Sequence, residues 1–155
     1  MKAKKTEKTP KQWLKKFYPK EARDTSKKEA LDHSLRKWRG LRVLREYSLY
    51  KQNNNVITVK GDHTLIIVDG ITCALCCHHS NCSSCPLPAV HDNTPCDKMA
   101  LGELVSPYRA FTQASSDTEP MIKLLETAKR KQNNERWNWE RSLKQNNKQK
   151  LKQQK

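Results

Sequence analysis

The sequence predicts an α+β fold in which several helices surround one β-hairpin, flanked by basic, partly disordered termini. Three observations carry this expectation. Apolar residues recur at helical spacing in several short segments, the period of helices with one buried face. Two β-branched runs, Val56-Ile57-Thr58-Val59 and Thr64-Leu65-Ile66-Ile67-Val68, stand either side of Lys60-Gly61-Asp62-His63, which is a hairpin pattern. The two ends are polar and rich in lysine, so they lack the apolar surface that packing needs.

Residues 1–10 read as a flexible basic N-terminus. In residues 11–18, Trp13, Leu14, Phe17 and Tyr18 line one face of a short helix, and Pro19 ends it by excluding the preceding residue from the helical region. Ser26 and Glu29 form a capping box for the next helix, whose face is Ala30, Leu31, Ser34, Leu35 and Trp38, with Gly40 as its stop. A further short helix is expected from Leu41 to about Leu49, then a polar loop over Lys51–Asn55. After the hairpin, Asp69-Gly70 makes a turn. Ser106-Pro107 is an N-cap followed by a proline at the first helical position, opening a helix to about Gln113. Ser116 or Asp117 caps a last helix from about Glu119 through Lys131, with Met121, Leu124, Leu125 and Ala128 on its apolar face. Beyond Gln132 the composition shifts to Asn, Gln, Lys and Arg, a helical extension at best.

With 155 residues there is room for one domain. Hydrophobic residues make up only 35% and mean hydropathy is −0.97. The ordered part is therefore expected to hold roughly a hundred residues, a size at which cores are marginal and often need a staple. The net charge of +15 is uneven. Residues 1–51 carry seventeen Lys/Arg against six Asp/Glu, residues 52–122 three against seven, and residues 123–155 eleven against three. Two basic arms flank an acidic centre, and polyanions suit such arms. No apolar run approaches the ~20 residues of a membrane span, so no membrane partner is expected. The basic start Met1-Lys2-Ala3-Lys4-Lys5 has no apolar segment behind it, so no secretory signal is expected either. The expected location is cytoplasmic, where six cysteines stay reduced and metal binding is favoured over disulfides.

The centre contains Cys73-Ala74-Leu75-Cys76-Cys77-His78-His79-Ser80-Asn81-Cys82-Ser83-Ser84-Cys85-Pro86, with Cys96 further on. Cys73/Cys76 and Cys82/Cys85 are two Cys-x-x-Cys pairs. Thiolates three residues apart can hold one cation, and four such ligands complete a tetrahedral zinc site with bonds of roughly 2.3 Å. The expected cofactor is one structural Zn2+ in a zinc knuckle, held by four of Cys73, Cys76, Cys82, Cys85 and Cys96. Only five residues separate the pairs, so Cys96 can replace Cys82 and widen the enclosed loop. An iron–sulfur cluster is the rival cofactor, since Cys85-Pro86 has the ending of a ferredoxin motif; free thiols or a redox pair come third. His78 and His79 are expected as exposed loop residues, with a role for one of them as a metal ligand or as a group orienting a ligand as the alternative; Cys77 is expected as a small buried filler ahead of a ligand, and His33 as structural. On this reading residues 11–131 form a metal-stapled domain and residues 132–155 a basic low-complexity tail.

No enzyme is expected. A zinc-supported His-Asn-His nuclease needs a hairpin and helix between its ligand pairs, and five residues cannot hold them. Phosphate-cradling glycine loops, a Ser-His-Asp order and paired-carboxylate signatures are missing from the sequence. Surplus thiols favour a closed, structural site over a catalytic one with an open position.

His33-Ser34-Leu35-Arg36-Lys37-Trp38-Arg39-Gly40-Leu41-Arg42 and Cys73-Ala74-Leu75-Cys76 resemble a family of uncharacterised cysteine-cluster proteins from bacteria and their phages. Members are similar in a Cys-x-x-Cys-Pro-Leu segment (here Cys82 to Leu87), a later cysteine at the place of Cys96, a Ser-Pro-Tyr element at Ser106–Tyr108 and a Glu-Pro-Met-Ile helix at Glu119–Ile122. The resemblance spans about Lys11 to Thr127 and omits the tail. It implies a metal site and a phage setting in a bacterial host cytoplasm, and it names no activity. Cys77, His78 and His79 depart from the pattern.

The arms interleave Lys and Arg with Trp13, Phe17, Tyr18, Trp38, Trp137 and Trp139, residues that neutralise phosphates and stack on bases, or that belong to the core. Trp38 is expected in the core; Trp137 and Trp139 stay open. The expected partner is nucleic acid or a nucleoprotein, contacted through Lys144, Lys148, Lys150 and Lys152. The alternative is a host protein complex docked on the acidic centre.

Overall fold

Residues 10–46, 50–59, 65–113 and 117–153 are described by the computed structural model, and they form five helices and a three-stranded antiparallel sheet. The α+β expectation holds. The N-terminal lead up to residue 9, the hairpin turn at Lys60–His63, Ser116 and the stretch from Tyr47 to Leu49 lie outside the described residues.

Helix α1 (Pro10–Phe17) opens on a proline, where no intrahelical donor is lost. Helix α2 (Ala30–Glu46) follows the expected capping box: Glu29 N–H donates to Ser26 Oγ and Ser26 N–H to Glu29 Oε2, both at 3.2 Å. The stop expected at Gly40 is not there. α2 runs through it and absorbs the separate helix expected from Leu41. The glycine serves close packing instead, because a Cβ at position 40 would stand 2.5 Å from Phe17 Cβ and 2.8 Å from Trp13 Cζ2. α1 thus lies directly on the α2 backbone, and Trp13 Nε1 donates to Gly40 O at 2.8 Å.

Strands β1 (Tyr50–Asn53), β2 (Val56–Val59) and β3 (Leu65–Ile67) pair in that order. β2 and β3 are the expected hairpin, with Ile57 opposite Ile66. The loop expected over Lys51–Asn55 is instead strand β1 and a tight turn. Asn53 faces Val56, and Asn54 takes a φ of 52°, a left-handed value that asparagine tolerates. Polar residues disguised this edge strand, which Gln52 ties to the core by donating to Phe111 O at 2.7 Å.

Helix α3 (Ala74–His78) is short. Helix α4 (Pro107–Thr112) has the expected cap, Arg109 N–H donating to Ser106 Oγ. Helix α5 (Glu119–Gln153) starts with Glu119 N–H on Asp117 Oδ1. α5 does not end near Lys131, and the partly disordered tail expected beyond Gln132 is helical to Gln153. No glycine or proline follows Pro120 to break it, and the Lys, Arg and Gln that fill it are good helix formers.

α2 is the hub, touching α1, α3 and α5. It runs antiparallel to α5, as the ion pairs record: Asp32–Lys129, Arg39–Glu126 and Arg42–Glu119 at 2.7, 2.9 and 3.2 Å. These pairs are half-exposed, so they set register more than they stabilise. The core between them contains Leu31, Leu41, Ile122 and Leu125, and Trp38 meets Phe111 edge to face at 5.1 Å. Trp13 and Phe17 are buried with them, which removes both from any base-stacking role.

Candidate metal centre

Each thiol-bearing segment is pinned by its own anchor. Thr72, just before Cys73, is held by Lys37 of α2, whose ammonium donates to Thr72 Oγ1 at 2.6 Å and to Thr72 O and Ile67 O at 3.0 Å. This lysine is 3% exposed; burial pulls its ammonium down to about 8, against the opposing pull of Cys73 and Asp69. Ala74 and Leu75 of α3 are buried. The Cys82–Ser84 turn is capped by Asn81, whose side-chain oxygen accepts from Ser84 N–H at 3.0 Å, and Leu87 sinks into the core behind Cys85. Cys96 is tied to α4 by Tyr108 N–H donating to its carbonyl at 3.0 Å, while Tyr108 Oη donates to Val68 O.

These anchors bring Cys73, Cys76, Cys82, Cys85 and Cys96 to the wall of one cavity of about 410 Å³, which also touches Ser34, Lys37 and His79. All six cysteines of the chain are free thiols. The Cys73 sulfur accepts a hydrogen bond from the Cys76 thiol, which lowers Cys73 and raises Cys76. Ser34 Oγ stands 3.8 Å from the same sulfur. Burial, with the other thiols of the cavity adding to it, raises Cys85 and brings Cys96 up to about 12. Sulfurs this close resist ionising together unless a cation compensates them. Among the described residues, no group of three or more His, Cys, Asp or Glu side chains is arranged as placed to hold an ion. The donor chemistry of five thiols on one cavity wall fits a thiolate-bound metal.

The neighbouring residues sort themselves differently from expectation. Cys77 is exposed rather than a buried filler, with its thiol on Ile71 O at 3.2 Å, and it is not part of the cavity wall. His78 is half-buried on α3, not in an exposed loop. Thr25 Oγ1 spends its hydrogen on Ala22 O, so it accepts from His78 Nε2–H at 3.0 Å. His79 lines the cavity, half-buried, with Nδ1 enclosed and unpartnered, and burial lowers its imidazole. An enclosed imidazole nitrogen beside thiols is a donor, the role that sequence reasoning held only as the lesser alternative for His78 or His79. Its only advance signal was its position three residues before Cys82. His91 is buried elsewhere, bonded to Thr94 O and Glu103. His33 is structural as expected: Nε2–H donates to Lys20 O at 2.8 Å.

The tail lysines do not join this centre. Lys144, Lys148 and Lys150 are exposed on the far half of α5, as are Trp137 and Trp139; the side chain of Lys152 lies outside the described residues. Among the described residues no helix is long and apolar enough to cross a membrane. No protein-family model, curated protein or solved structure matches the chain.

Proposed function

We propose that this chain is a non-enzymatic metal-binding protein that carries a structural zinc and docks on nucleic acid. Four of Cys73, Cys76, Cys82, Cys85 and Cys96 would hold the ion, with His79 as a further donor in reach of the same cavity. The observation that carries the reading is the convergence of five thiols, from three separately anchored segments, on one cavity wall. A bound Zn2+ would supply the charge compensation that adjacent thiolates need and would cross-link a thin core. Lys37 adds a buried positive charge beside that anionic set. The nucleic-acid part rests on the exposed stretch of α5 over residues 132–150, where five Lys/Arg oppose two Glu. The resemblance to cysteine-cluster proteins of bacteria and phages agrees with a metal site and adds the phage setting.

Elemental analysis of natively purified protein tests the metal. One zinc per chain is expected, and cobalt substitution should give intense sulfur-to-metal absorption. Iron with a brown colour establishes the cluster instead, and no metal at all ends the reading. For the partner, pull-down with and without nuclease decides: a partner kept after digestion replaces nucleic acid with a host protein.

A further inference from the structure

Helical geometry divides the projecting half of α5 into two unlike faces. Trp137, Arg141, Lys144 and Lys148 follow Arg130 by seven, eleven, fourteen and eighteen residues. At about 100° per residue, all five lie within ~40° of one line along the helix. Each is exposed. Both glutamates of this half, Glu135 and Glu140, fall outside the sector, and Glu140 is engaged by Arg136 at 3.9 Å. Lys150 stands on the opposite side of the helix, about 160° away from the stripe. The cations of the stripe span ~27 Å, most of the ~34 Å turn of a duplex.

We infer that the face made by Arg130, Arg141, Lys144 and Lys148 is a docking surface for the phosphate backbone of double-stranded nucleic acid, read without regard to sequence. This deepens the nucleic-acid reading above and rests on it. Charge decides the class of partner, because a rigid line of cations with no acid between them matches a line of phosphates. Trp137 decides between duplex and single strand. One face of its ring carries the Arg141 guanidinium at 4.1 Å, so on that side it orients the cation instead of stacking on a base, and the exposed Trp139 stands about 180° round the helix from the stripe. Single-strand binding relies on open aromatic faces.

The full-length protein is titrated into a fluorescent duplex of about 20 base pairs, two helical turns, over a range of salt concentrations. The same is done with a single strand of equal length. The duplex should bind more tightly, with an affinity that falls steeply with salt. Arg141→Gln, Lys144→Gln and Lys148→Gln together should lower the magnitude of the salt slope by about 2.7, from ~0.9 per phosphate contact. Lys150→Gln should change it by less than half of one such contact. Inserting two alanines after Leu143 turns the last two cations away from the rest and should weaken binding; inserting four restores the face and should largely recover it. Circular dichroism checks that each variant keeps its helix. If wild type binds neither nucleic acid, the reading beneath this inference fails. If it binds but Lys150→Gln matches Lys144→Gln and both insertions are harmless, the tail acts as undirected charge and the face is overturned. Tighter binding to the single strand overturns the duplex.

Discussion

The two halves of α5 share one helix and one apolar face, yet only the first is buried. Met121 and Leu125 sit in the core, whereas Trp139 and Leu143, each eighteen residues further on, are 63% and 41% exposed. Eighteen residues make five turns, so these pairs point the same way. The difference is the neighbour. α2 starts at Ala30, and its Asp32 already pairs with Lys129. Running antiparallel, α2 has no more residues to lay against α5 beyond that point. An amphipathic period provides a face, and burial needs something to cover it. The thiol centre is the opposite case: its segments have little helical or strand pattern of their own, and tertiary anchors bring them together.

Removing the metal should separate the two regions most sharply. Chelation of natively purified protein is expected to lower the melting midpoint by more than about 10 °C, since a structural ion contributes folding energy directly. Deleting everything after Lys131 should move it by no more than about 2 °C, in keeping with surface changes that touch no core contact. An unchanged midpoint after verified metal loss would leave the centre with no structural role.

Within α5 the contrast can be tested at single residues. Leu125→Ala should cost about 2–5 kcal/mol in denaturant unfolding, and Leu143→Ala no more than about 0.5 kcal/mol. Comparable losses at both sites would mean that the projecting half is covered in solution.

Lys37→Met probes the anchor beneath the thiols. The change leaves Thr72 O without its Lys37 hydrogen bond, and a loss of about 1–3 kcal/mol is expected from denaturant unfolding. Metal affinity should fall along with stability, as Thr72 directly precedes Cys73. Full stability in this variant would show that the hook is dispensable.

The smallest effect is expected from His33. Burial lowers its imidazole below the ordinary 6.5, and Nδ1 is enclosed with no partner to share a proton. The unfolded chain therefore takes up a proton first as pH falls. Stability from this residue is complete above about pH 6.5 and declines progressively below it. Unfolding midpoints measured from pH 7.5 down to 5 should show that decline, and His33→Gln should flatten it; identical profiles in the two proteins would remove His33 as the cause.

Much of the fold was legible because its signals are local. The capping box at Ser26 and Glu29, the Ser106-Pro107 start and the β2–β3 hairpin each depend on residues a few positions apart. Gly40 misled because a glycine after an apolar stretch is also what a helix end looks like, while its real partners, Trp13 and Phe17, are distant in sequence. β1 was hidden because Lys51 and Gln52 are polar and an edge strand needs only one paired side. Four of the five cavity cysteines were legible from the Cys-x-x-Cys spacing, and Cys96 only as a nearby fifth thiol. His79 was legible only as a lesser alternative, because a histidine's exposure depends on how the chain folds back over it.

By itself the sequence determined what repeats over short distances: helix periods, caps, one hairpin, the cysteine pairs and the uneven charge. Such features follow from backbone geometry and composition, which each stretch of chain carries wherever it is placed. The tertiary structure alone decided which faces found cover. It seated α1 on Gly40, drew five thiols to one wall and let α5 outrun α2, since burial and proximity belong to pairs of segments.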